Sequence, residues 1–178
     1  MSDATLFLSK ESIFGPKADQ QYMSLALKQA QKAGACDEVP VGAVIVDAHG
    51  VVIARGYNKV ESSGSQTSHA ELNAIVKATR VKKNWRLTGC WLYVTLEPCI
   101  MCIGLMVNSR LSGVVYGAQS PLFGYNLDKS VSSWVYKKNA FRVVHGVCID
   151  QSVGLLKDFF IKKRERTHER QKKRSSID

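Results

Sequence analysis

The chain has 178 residues, 45% of them hydrophobic, which suits one globular domain with a sizeable core. It carries 25 Lys and Arg against 15 Asp and Glu, and the net charge of +10 fits either a polyanionic partner such as nucleic acid or a solvated basic surface. The sequence has no run of about 20 apolar residues, and we expect neither a signal peptide nor a disulfide framework. We therefore expect a cytoplasmic protein without a membrane partner.

Helices and strands are predicted to alternate along the chain. Residues 1–17 are expected to form a loose lead-in, residues 18–171 a single domain and residues 172–178 a frayed tail. Periodicity and breaker residues predict helices at 19–33, from His69 onward, from Pro98 or Cys99 to Asn108 and at 153–171, and strands at 41–46, 51–56, 91–95, 113–117 and 141–147. The first two strands should form an antiparallel hairpin, and residues 60–68 and 119–138 should be irregular. This alternation indicates an α/β layered domain.

Three side chains in the middle of the chain are good ligands for a divalent metal. His69, Cys99 and Cys102 offer one imidazole and two thiolates, a ligand set typical of Zn²⁺. Pro98 suits the first turn of a helix, and cysteines three residues apart then share a helix face, where the positive helix end favours thiolate. Three protein ligands leave a fourth tetrahedral position open, which is typical of a catalytic zinc site.

Glu71 is predicted to be the catalytic residue of this site. It lies two residues after His69, too close to be a second ligand on the same helix face, and can instead carry protons beside the open position. The cysteine pair alone could also be a redox pair or half of a structural zinc site. A redox pair is disfavoured because it would leave the histidine and Glu71 without a role. A histidine with a glutamate two residues later, followed by Pro98 and the cysteine pair, is the motif of zinc-dependent nucleobase deaminases.

Further segments, in one colinear order, extend this likeness to much of the chain, from residue 22 to residue 163. Together with the metal motif, they resemble the bacterial tRNA-specific adenosine deaminase family. The segments are Pro40-Val41-Gly42-Ala43-Val44, Gly56-Tyr57-Asn58, Tyr93-Val94-Thr95-Leu96-Glu97, Ser109-Arg110, Val115-Tyr116-Gly117-Ala118 and Asp158-Phe159-Phe160.

The resemblance implies a three-layer α/β/α cytidine deaminase-like fold with a mixed five-stranded sheet between helices. It also implies a homodimer with one Zn²⁺ per subunit, which hydrolyses wobble adenosine to inosine in the tRNA anticodon loop. Asn58 would lie against the target nucleotide, and basic residues of the last helix would contact the anticodon stem-loop. These basic residues are Lys163, Arg164, Arg166 and Arg170. The sequence departs from the family in Gln119–Gly124 and at Ser68, so contacts of that loop are not carried over.

Two other functions remain open at this point. A free-base or nucleoside deaminase of the same fold, acting on guanine or cytosine, would share the zinc site, but a small substrate needs no basic terminal helix. A non-enzymatic, zinc-stabilised RNA-binding module would need neither an open fourth position nor Glu71. Helical spacing places Lys163, Arg166 and Arg170 on one side of the last helix, which favours a phosphate-contacting stripe over a solvated face.

Overall fold

A computed structural model of the chain describes residues 7–8, 11–124 and 142–175. Its strands are β1 (Phe7–Leu8), β2 (Gly42–Val46), β3 (Val52–Tyr57), β4 (Trp91–Leu96), β5 (Gly113–Ala118) and β6 (Arg142–His145). Its helices are α1 (Pro16–Ala35), α2 (Val60–Ser63), α3 (Ala70–Lys82), α4 (Ile100–Asn108) and α5 (Ile149–Ser175). Among the described residues, no helix is both long and apolar enough to cross a membrane.

The strands form one mixed sheet in the order β1-β6-β5-β4-β2-β3. β2 pairs antiparallel with β3 and with β4, whereas the β4–β5, β5–β6 and β6–β1 pairs are parallel. The predicted hairpin is therefore confirmed. β4 and β5 lie inside the sheet and are covered on both faces, which explains their nearly continuous apolar sequences.

Helices cover both faces of the sheet, and alternate side chains of each strand enter different cores. Trp91 and Tyr93 pack on the side of α1, in a cluster with Met23. Leu92 and Val94 point the other way, into a cluster that includes buried side chains of α3 and α4. α5 packs on the α1 side, where Ser152 occupies the space that a Cβ atom on Gly117 would need. The predicted three-layer arrangement is confirmed.

The structure differs from the sequence prediction at the ends of elements and in two short elements that were not predicted, β1 and α2. The lead-in contains β1 and the start of α1, and β1 adds a two-residue edge strand to the five predicted. The loop at residues 60–68 contains the short helix α2, and the last helix begins at Ile149 rather than at residue 153. α5 continues to Ser175, and the fraying of the tail from residue 172 stays a prediction. Residues 125–138 of the predicted irregular stretch lie outside the described residues.

Candidate active site

The three predicted metal ligands meet where two helices begin. His69 is the N-cap residue of α3, Cys99 is the N-cap residue of α4, and Cys102 lies in the first turn of α4. The His69 Nδ1 atom lies 3.7 Å from the Cys99 Sγ and 3.4 Å from the Cys102 Sγ, and the two sulfur atoms are 3.6 Å apart. α3 follows β3 after the short helix α2, and α4 follows β4 directly. The three side chains therefore lie together at one end of the sheet, beyond the carboxyl ends of β3 and β4.

These distances fit a tetrahedral zinc ion. Zinc bonds of normal length would place two sulfur ligands roughly 3.8 Å apart and a sulfur and a nitrogen ligand roughly 3.6 Å apart. Residues 7–8, 11–124 and 142–175 contain one group of at least three His, Cys, Asp or Glu side chains whose ligand atoms all lie within 4.8 Å of one another. It consists of His69, Cys99 and Cys102. The site would therefore hold Zn²⁺ through these three residues and leave one coordination position for another molecule.

One cysteine of the pair, Cys99, is favoured as a thiolate before any metal binds. The hydrogen bond with Cys102, together with contacts to His69, lowers the pKa of Cys99 to about 4. The bond to Cys99 in turn raises the pKa of His69, and the same pairing with burial raises the pKa of the Cys102 thiol. Because metal binding needs both sulfurs as thiolates, binding of Zn²⁺ displaces a proton, and acid competes with the metal.

Glu71 lies beside the ligands without belonging to their group. Its side chain is buried, with 4% of the residue exposed, and it occupies the first turn of α3. Burial raises the pKa of this carboxyl group above its ordinary value, against a smaller opposing effect of His69. A carboxyl group with a raised pKa next to an open metal position is suited to exchange protons with a reacting molecule.

A cleft of about 1090 Å³ opens from the metal ligands to the surface. Asn58, His69, Glu71 and Cys99 line its inner part, while residues 119–123 and one side of α5 line its mouth. The mouth carries exposed apolar side chains, since Phe123 is 76% exposed and Phe160 is 44% exposed. The cleft is large enough to take a nucleoside with parts of its neighbours.

The buried side chain of Asn58 is held by a residue that the sequence analysis did not identify. Asn58 Nδ2 donates to the Glu38 carboxylate at 3.3 Å, and Glu38 is fully buried in the turn between α1 and β2. Glu38 was missed because an acidic residue just before an apolar strand reads as an ordinary surface loop residue. Its partner is 20 positions away, and nothing in the local sequence indicates the pairing.

The basic residues of α5 have different surroundings. Arg164 lines the cleft. Lys163 and Arg166 instead face Asp37 in the α1–β2 turn, with Arg166 Nη2 3.0 Å and Lys163 Nζ 4.0 Å from its carboxylate oxygens. Arg170 is exposed further along the helix. The structure thus brings one of the four predicted RNA-contacting cations to the site and pairs two others with an acid.

A mixed sheet that presents one histidine and two cysteines at helix starts, beside a buried glutamate and an open cleft, defines a zinc-dependent deaminase. Residues 16–118 match the family model of the cytidine and deoxycytidylate deaminase zinc-binding region, and the chain belongs to this family.

One curated relative and two solved structures give more specific matches within this family. The chain is 42% identical over 144 residues to the tRNA-specific adenosine deaminase of Bacillus subtilis (strain 168), a match covering 80% of this chain and 88% of the relative. A structure solved in a study of A-to-I editing by tRNA:A34 deaminases is 38% identical, with a TM-score of 0.70 and coverage of 76% and 99%. A guanine deaminase from Bacillus subtilis is 35% identical, with a TM-score of 0.54 and coverage of 67% and 74%.

Proposed function

We propose that this protein is a tRNA-specific adenosine deaminase that hydrolyses the wobble adenosine of the anticodon loop to inosine. The observation that carries the proposal is the zinc-type site at the base of a cleft whose mouth is lined by aromatic and basic side chains. Its likeness to tRNA-specific adenosine deaminases, which extends over most of the chain, supports the same substrate.

The proposed chemistry needs water and no other co-reactant. Zn²⁺ held by His69, Cys99 and Cys102 supplies Lewis-acid activation of water by lowering its pKa toward neutrality. Glu71 accepts a proton from the water as its oxygen bonds to C6 of adenine, and donates that proton to N1 of the ring. Glu71 then carries a second proton from the oxygen to the amine, the C6–N bond breaks, ammonia leaves, and inosine remains. The burial of Glu71 suits this role, because a raised pKa lets the same group take and return protons.

The cleft is proposed to take the target nucleotide out of its stack. A base cannot react while stacked, and an unpaired loop nucleotide is cheaper to turn out than a paired one. Asn58 would contact the inserted nucleotide from the inner wall. Phe123 and Phe160 at the mouth offer exposed aromatic faces, on which bases next to the target can stack.

The alternative substrate, a free base such as guanine, has some support from the likeness to the guanine deaminase. That match covers less of both chains and has a lower TM-score than the match to the tRNA deaminase structure. A free base would also leave the basic and aromatic mouth of the cleft without a use.

Ammonia release tests the proposal directly. The purified zinc-loaded protein is given an anticodon stem-loop with adenosine at the wobble position, the same stem-loop with guanosine there, and free adenosine, guanine and cytosine. We expect release from the first substrate alone and its loss after chelation. Release from free guanine or cytosine but not from the stem-loop would overturn the tRNA assignment. RNA binding without any release would favour the non-enzymatic module.

We also propose that the enzyme acts in the cytoplasm and that it is a homodimer. The dimer is supported by exposed apolar side chains on α3 and α4, among them Val76 and Met101. Light scattering of the zinc-loaded protein should give twice the mass of one chain, and a monomer at micromolar concentration would contradict the proposal.

A further inference from the structure

Glu38 occupies a position in which an ionised carboxylate is fully satisfied. Its Oε1 accepts the backbone N–H of Ser62 at 2.7 Å, and its Oε2 accepts the backbone N–H of Glu61 at 3.1 Å and the Asn58 amide at 3.3 Å. The residue is 0% exposed. Burial alone would raise the pKa of Glu38, but the bonds from Ser62 and Glu61 and the charge of Lys163 lower it below its ordinary value.

Two of these bonds give Glu38 the role of a helix cap. Glu61 and Ser62 are the second and third residues of α2, whose N–H groups are normally satisfied by the side chain of the N-cap residue. Here the N-cap residue is Lys59, whose side chain has no acceptor atom and makes no capping bond. The carboxylate of Glu38 therefore replaces it from a distant part of the chain.

The third bond decides which way the Asn58 amide faces. An ionised carboxylate can only accept, so the NH₂ group of Asn58 must point toward Glu38. The Oδ1 atom is then left as an acceptor for the cleft that Asn58 lines. Since the two ends of an amide are nearly equal in shape, only such a partner distinguishes them.

We propose that Glu38 is a positioning residue, which orients the Asn58 amide toward the target nucleotide and ties it to α2. This inference rests on the proposed function, because the contact of Asn58 with the nucleotide belongs to that proposal. A bound nucleotide meets a preset acceptor, and the protein does not have to select one amide orientation during binding.

Glu38→Gln is the sharpest test, because it keeps the size of the side chain and turns one acceptor oxygen into a donor. If the remaining oxygen stays on Ser62, whose bond is the shortest, the new NH₂ group faces Asn58 and reverses its amide. We expect KM for the anticodon stem-loop to rise about tenfold or more, with kcat changed less than about threefold. Glu38→Asp, which keeps the charge but is one methylene shorter, should give an intermediate KM.

Asp19→Asn is the matched control. Asp19 is also a buried carboxylate with three bonds, from Ser12 N, Ser12 Oγ and the Tyr93 hydroxyl, but it does not line the cleft. A general loss of stability would appear in both variants, whereas a rise in KM is expected for the Glu38 variant alone. In an Asn58→Ala background, Glu38→Gln should change KM less than twofold, because the group on which it acts is gone.

Side-chain amide NMR separates this inference from the proposed function. In the wild type, one Asn58 Nδ2 proton should exchange slowly because it is bonded to Glu38, and Glu38→Gln should abolish that protection. Loss of protection supports the amide orientation even if the stem-loop is not a substrate. Unchanged protection, an unchanged KM or full additivity with Asn58→Ala would each overturn the inference. If Glu38→Gln does not fold, the same measurements on Glu38→Asp decide.

Discussion

Glu71 and Glu38 are both buried carboxyl groups near the cleft, yet their pKa values move in opposite directions. For Glu71, burial dominates and raises the pKa. For Glu38, burial also raises the pKa, but hydrogen bonds from Ser62 and Glu61 and the charge of Lys163 together outweigh it and lower the pKa. A group with a raised pKa can change its charge during a reaction, whereas one with a lowered pKa is a fixed anion that can orient its neighbours. The two residues thus have different roles although their side chains are the same.

Replacement of Glu71 should separate chemistry from binding. Glu71→Gln keeps the volume but cannot transfer protons, so we expect kcat to fall about 10²-fold or more with zinc content and stem-loop affinity retained. Metal analysis, a binding titration and single-turnover rates check the three parts. Loss of zinc together with activity would mean that Glu71 has a role in metal binding, and retained activity would contradict the proposed mechanism.

The lowered pKa of Glu38 predicts a specific pH dependence of stability. A carboxyl group whose pKa is depressed by folding stabilises the folded state above its unfolded pKa, and this contribution disappears as the pH falls through the folded pKa. The free energy of unfolding of the wild type should therefore exceed that of Glu38→Gln at pH 7, and the difference should shrink as the solution is acidified below the ordinary glutamate pKa. Urea denaturation of both proteins at several pH values measures this difference. A gap that widens in acid would contradict the assigned direction.

At the scale of the secondary-structure elements, neighbouring residues in the sequence were enough to predict the metal ligands, but not to predict the short elements β1 and α2. His69, Cys99 and Cys102 could be predicted because their positions at helix starts follow from neighbouring residues. The edge strand β1 could not, since its pairing with β6 joins opposite ends of the chain and leaves no periodic pattern in two residues. α2 was missed for a similar reason, because the carboxylate that caps it comes from the α1–β2 turn.

α5 is the element on which the proposed RNA contact depends, and its cations should contribute unequally. Arg164 lines the cleft, so Arg164→Ala should weaken stem-loop binding and reduce the slope of log affinity against log salt by roughly 0.7 to 0.9. Asp37→Asn should act in the opposite direction, because it releases Lys163 and Arg166 from their acidic partner and leaves them available for phosphate. Affinities at several salt concentrations measure both effects. Equal slopes in the wild type, Arg164→Ala and Asp37→Asn would mean that the basic residues of α5 are a solvated surface and do not contact phosphate.

At the scale of the whole molecule, the metal should join parts of the chain that are far apart in sequence. Because the ligands come from the starts of α3 and α4, binding of Zn²⁺ favours the folded state over the unfolded chain. We expect chelation to lower the Tm of the wild type by about 10 °C, which corresponds to about 4 kcal/mol in a domain of this size. Cys99→Ala should begin with a low Tm, no zinc and no activity, and chelation should not lower its Tm further. A wild type whose Tm is insensitive to chelation would contradict a tightly bound zinc ion.

Asp37 and Glu38 are consecutive residues, yet they contact two different elements that line the cleft. Asp37, which has a left-handed backbone with a φ of 59°, pairs with α5, while Glu38 holds Asn58 and α2. The distance between these two parts of the cleft therefore depends on the length of a single turn.

Inserting one residue at this turn would remove the contacts of Asp37 with α5 and those of Glu38 with Asn58 and α2, although the sequences of α2 and α5 would not change. The turn at residues 47–50 accepts a hydrogen bond from the Tyr22 hydroxyl at the Gly50 carbonyl, but none of its described hydrogen bonds reaches a residue that lines the cleft. The same insertion there should therefore leave stem-loop affinity nearly unchanged. Length, more than composition, is thus the property of the α1–β2 turn on which the shape of the cleft depends.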